Sequence, residues 1–77
     1  MNYNYGETFL EINCPSGNIR RIKISEIYEI AQVNDAYENK PCVYVYYGNS
    51  KTLMLKDWTL KDFDEKVKTI VLKNNWG

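Results

Sequence analysis

The side chains that most often carry out chemistry are scarce in this chain. There is no histidine among its 77 residues. A Ser–His or Cys–His nucleophilic pair therefore cannot be built, and neither can a histidine-held zinc water. Nothing titrates near neutrality without a strong perturbation. Cys14 and Cys42 are the two thiols. A zinc site needs four ligands, so these two would have to recruit carboxylates. Free buried thiols are the expectation, with a bridge left open because pairing depends on geometry. Asp62, Asp64 and Glu65 lie close together, but lysines at 61, 66 and 68 surround them. That is the composition of a solvated helix face, not of two acids converging in a cleft. The four glycines stand apart, so no phosphate-cradling loop exists. These absences point to a chain that is not an enzyme and carries no cofactor or metal.

What remains is chemistry of recognition. Seven tyrosines, two tryptophans and two phenylalanines make the chain strongly aromatic. Tyrosine packs its ring while its hydroxyl stays wet, which suits a half-buried sheet surface or an interface. Arg20, Arg21 and Lys23 gather on one short segment and could meet phosphate. Charge is zero overall but uneven. Residues 1–38 carry three cations against six acids, a net of −3, and residues 39–77 carry seven lysines against four acids, a net of +3. The halves either cancel by packing together or complement each other between copies. A neutral chain also lacks the basic excess of most nucleic-acid binders.

The elements that must position these residues follow from period and punctuation. The reading is one small domain over 1–77, with strands over 8–14, 19–24, 27–33, 42–47 and 51–56 and a helix over 59–73. Leu10, Ile12 and Cys14 alternate on one face. Pro15-Ser16-Gly17-Asn18 makes the turn into Ile19–Ile24. Residues 25–33 fit a corner followed by a strand, with a short helix as the alternative. Residues 34–41 are polar and read as a loop. In residues 42–47, Val43 and Val45 favour the core side, which leaves Tyr44 and Tyr46 outside. Thr59 and Asp62 form a capping box, and Trp58 with Phe63 has staple spacing. Leu60, Phe63, Val67, Ile70 and Val71 then extend an apolar stripe along one helix. The fold class expected is α+β: a mainly antiparallel sheet of about five strands with one C-terminal helix packed on a face.

The series Ile24, Ile27, Ile30, then Val43-x-Val45, Gly48, Leu53-x-Leu55 and a capped helix resembles FlbD-like flagellar proteins. It is also similar to the first half of LytTR-type DNA-binding domains. Residues 34–41 depart from the first pattern, and the second belongs to longer chains, so no residue's role is carried over from either.

These readings converge on a binding module that acts through protein–protein contact, with itself as a homo-oligomer or with another protein. The candidate interface residues are Phe9, Arg20, Arg21, Lys23, Tyr44, Tyr46 and Trp76. The composition is that of phage or bacterial accessory proteins, which suggests an inhibitor or regulator that occupies a partner. The alternative is nucleotide or nucleic-acid capture by an oligomer, using the same aromatic and arginine side chains. No membrane-spanning stretch and no apolar leader are visible, so the expected compartment is the cytoplasm.

Overall fold

The computed structural model describes residues 7–72. Six strands, one short helix and a 3-10 turn make up this part of the chain. β1 (Glu7–Asn13) and β2 (Ile19–Lys23) form an antiparallel hairpin. Its turn is closed by the Cys14 amide donating to the Asn18 carbonyl at 2.8 Å, and Gly17 supplies φ +95°. A 3-10 turn over Ile24–Glu26 leads to β3 (Ile27–Tyr37), β4 (Lys40–Tyr47) and β5 (Lys51–Lys56), a continuous antiparallel meander. Helix α1 (Leu60–Lys66) follows, and β6 (Lys68–Leu72) returns to pair with β1.

The architecture is therefore two three-stranded sheets, ordered β2-β1-β6 and β3-β4-β5, not one sheet of five strands under a long helix. Two local outcomes produce the difference. First, the helix expected over 59–73 ends at Lys66. Val67, Thr69, Ile70 and Val71 are β-branched and lose side-chain freedom in a helix. In β6, Thr69 and Ile70 instead sit opposite Leu10 and Phe9, completing the open edge of β1. Second, residues 34–41 are not a loop. β3 continues to Tyr37, and Glu38 and Asn39 turn the chain with φ of 48° and 63°. Positive φ at both central residues is the primed turn whose twist matches a hairpin.

One core joins the sheets. Ile12 and Ile22 come from the first sheet, and Val43, Val45, Leu53 and Leu55 from the second. Trp58 and Phe63 complete the cluster from either side of the α1 start. The helix N-terminus carries a capping box and a tie to β3. The Asp62 amide donates to Thr59 Oγ1 at 3.1 Å, and the Thr59 amide donates to Asp62 Oδ2 at 2.9 Å. The Leu60 amide donates to Gln32 Oε1 at 2.7 Å, which ties α1 to β3. Helix N-termini leave their first amides without intrahelical partners, and these bonds satisfy three of them.

The hydrogen bond from the Thr59 amide, chief among its neighbours, holds the Asp62 carboxyl below its ordinary pKa. A lowered carboxyl pKa stabilises the fold above the ordinary carboxylate range, and that contribution disappears as pH falls through the lowered value. In urea titrations, Thr59→Ala should cost about 1 kcal/mol at neutral pH. Asp62→Asn should also destabilise there, and its difference from wild type should shrink in acid. Leu55→Ala, at a side chain with 0% exposure, should cost about 2–5 kcal/mol and be the most damaging of the three.

Candidate functional site

β4 is the central strand of its sheet, so each of its faces meets two neighbours. Val43 and Val45 turn into the shared core with 0% exposure. Cys42, Tyr44 and Tyr46 alternate to the other side. Across the sheet, Tyr46 lies between Glu29 and Thr52, Tyr44 between Ala31 and Met54, and Cys42 between Val33 and Lys56. Ala31 and Thr52 are small, which leaves room for the rings. Tyr44 and Tyr46 lie nearly parallel, with centroids 6.3 Å apart and planes 20° apart.

A bulge adds a third ring to the row. The β3–β4 register shifts between Ile27 and Glu29, and the extra residue is Tyr28. Bulges re-aim side chains, and here the Tyr28 ring comes within 6.3 Å of Tyr46. At the other end, the long β3 delivers Tyr37. Its hydroxyl lies 3.8 Å from Met54 Sδ, and Lys56 Nζ sits 4.7 Å from its ring centroid. The result is one contiguous aromatic and apolar face in which Tyr28 is 61% exposed and Met54 42%.

Cys42 is the anomaly of this face. It points away from the core yet has 0% exposure, because its neighbours close over it. Its thiol is free and lies 3.9 Å from the Val43 carbonyl oxygen. The Tyr44 hydroxyl is held above the ordinary phenol pKa, first by loss of water around it and then by Cys42 and Tyr37 beside it.

The basic segment lies elsewhere and does not act as a unit. Arg20 and Arg21 point to opposite sides of β2. Arg20 Nη2 donates to Tyr47 Oη at 3.2 Å, linking the two sheets. Arg21 Nε pairs with Glu11 Oε1 at 3.0 Å across the hairpin. Lys23 is half-buried opposite Phe9, on the side of the first sheet away from the core. Tyr44 and Tyr46 thus share a surface, while Phe9, Arg21 and Lys23 belong to another sheet. Trp76 lies outside the described residues. Two contributors were missed from sequence. Tyr28 depends on a bulge that leaves no signature in composition, and Tyr37 lay in the supposed loop. The signal available for Tyr37 was Asn39, a residue tolerant of positive φ.

Hollows open at several places on the surface of the described residues. A hollow of ≈ 220 Å³ between the 14–18 turn and β5 is bordered by Cys14, Arg20 and Lys56. Larger hollows lie at Thr8, Lys23 and Ile24 (≈ 370 Å³) and at Glu26, Tyr28, Gly48 and Lys51 (≈ 550 Å³), the last beside the tyrosine row. Among the described residues, no group of three or more Cys, Asp or Glu could hold a metal ion, and no helix is long and apolar enough to cross a membrane.

The two thiols should differ sharply toward a soluble thiol reagent. Cys14 is half-buried and should react in the native protein, whereas Cys42 should react only on unfolding. Counting labels by mass in native buffer and in denaturant checks this, with Cys14→Ser as the control that removes the native reaction.

No protein-family model, curated protein or solved structure matches this chain, so the spacing shared with FlbD-like and LytTR-type proteins stays a likeness of pattern.

Proposed function

We propose that this chain is a non-enzymatic binding module that occupies a partner protein through the tyrosine face of β3-β4-β5. The observation that carries the reading is the unbroken row Tyr28–Tyr46–Tyr44, with rings 6.3 Å apart and exposed Met54 and Val33 beside it. Tyrosine offers a large contact area at the cost of ordering two side-chain torsions, and it is enriched among residues that dominate binding energy. A contiguous apolar surface of this kind on a small domain marks an interaction site. The face is held rigid from behind, because Val43 and Val45 on the same strand are locked in the core. A small domain that covers a partner's surface acts as an inhibitor or regulator does.

A second reading uses the same rings. Near-parallel aromatic planes can receive nucleobases, so nucleotide or nucleic-acid capture by an oligomer remains the competing proposal. It is the weaker one. Arg21 is engaged by Glu11, and the Arg20–Lys23 segment does not share the face. Lys56 and Lys40 lie at the Tyr37 end of the rings, and Glu29 beside Tyr46 opposes an anion with a negative charge.

Tyr44→Ala combined with Tyr46→Ala should abolish capture of a protein partner from lysate of the native host. The same variant should melt well above Leu55→Ala, because the core is untouched, and Cys42 should become reactive without denaturant. Retained capture would overturn the reading. Binding to single-stranded nucleic acid that falls steeply with salt would favour the competing one.

A further inference from the structure

We propose that the occupant of the tyrosine face is a second copy of this chain, docked face to face about a two-fold axis lying between the two sheets. This rests on the tyrosine face being the binding surface and names what covers it.

The argument is the placement of charge. Two of the ionised side chains on this face stand at diagonally opposite corners of the tyrosine patch, with Lys40 beyond them opposite Tyr37. Glu29 on β3 flanks Tyr46, and Lys56 on β5 flanks Cys42. Tyr44 lies midway along β4 between those two rows. The corners are therefore about 13 Å apart along the strands and about 10 Å apart across them. A two-fold axis in the plane between the copies, running perpendicular to the Glu29–Lys56 diagonal through its midpoint, exchanges the corners. Glu29 of each copy then lies over Lys56 of the other, so one operation creates both ion pairs. This is the self-complementarity that an isologous interface requires, where residue i meets j and j meets i. The same operation brings the tyrosine rows of the two copies together near Tyr44. It sets the strands of the two sheets at a steep angle, nearer the orthogonal than the aligned class of sheet packing.

Three further observations agree. Glu29 has no ion-pair partner among the described residues, whereas Glu11 and Asp62 each have one. Lys56 is already steadied over the Tyr37 ring, which reduces the freedom it would lose on pairing. The chain's formal net charge is zero, so two copies approach without overall repulsion.

Charge exchange tests this directly. Sedimentation should find the wild type as a pair of 9.1 kDa chains. Glu29→Lys and Lys56→Glu each place like charges at both corners of the dimer, and each alone should weaken it by about tenfold or more. An equimolar mixture of the two variants should associate to within about threefold of wild type, because every corner is again complementary. The double variant Glu29→Lys/Lys56→Glu should also pair with itself. A wild type that sediments as one chain across the accessible concentration range would overturn the proposal. So would singles that dimerise as well as wild type, or a mixture that fails to recover. If the wild type is a single chain but Tyr44→Ala/Tyr46→Ala still loses a protein partner, the face binds a different protein and only this inference falls. If the tyrosine variant alters neither dimer nor partner binding, the reading of the face falls with it.

Discussion

One shared core holds two sheets that could not stand apart. A three-stranded sheet with one apolar face needs something to pack against before it is stable in water. Here each sheet is the other's cover. Ile12 and Ile22 meet Val43, Val45, Leu53 and Leu55, and Trp58 and Phe63 close the side where α1 begins. In so small a chain the core has few members, so each buried side chain carries much of the fold. The rest follows from it. With one side of β4 committed inward, its other side must face out, and that side is tyrosine.

Much of this was legible because period-two alternation is strong where one face is buried. Val43-Tyr44-Val45-Tyr46 and Leu53-Met54-Leu55 each announce a strand and its inward side. Thr59, Asp62, Trp58 and Phe63 announce the start of α1 for equally local reasons. Its end was not legible. Leu60, Phe63, Val67, Ile70 and Val71 fit a helical stripe, and Asp64 with Lys68 fits a helical ion pair. The competing state offered β-branched residues the unpaired edge of β1, and that edge is invisible in a local window. Residues 34–37 failed for the opposite reason. Val33, Asn34 and Asp35 are all exposed, so there was no buried face to impose a period on them.

The same distinction runs through the site. Tyr44 and Tyr46 could be placed outside by reference to Val43 and Val45. Tyr28 could not, since one extra residue in β3 decides where its ring points. The basic segment misled in a more instructive way. Arg20 and Arg21 are adjacent in sequence, and adjacency in a strand means opposite faces. One became a strut between sheets through Tyr47, and the other became half of an ion pair with Glu11. Clustering of charge along a strand is therefore not clustering in space. Surface pairs of this kind stabilise little, so their main effect is to orient the guanidinium groups.

The pairing of β1 with β6 sets an order on assembly. The β3-β4-β5 meander is made from neighbours in sequence, joined by turns of two and three residues. β1 must instead find a strand that lies on the far side of that whole meander. Closing so long a loop is entropically slow, and contacts of high sequence separation form late. On the ribosome, the hairpin of β1 and β2 therefore emerges with one edge of β1 bare and keeps it bare until residues 68–72 have been made. For that interval the nascent chain presents the kind of open strand edge that other chains can join. Rapid completion of synthesis, or a chaperone that masks the hairpin, would then govern how much of this protein reaches its folded form.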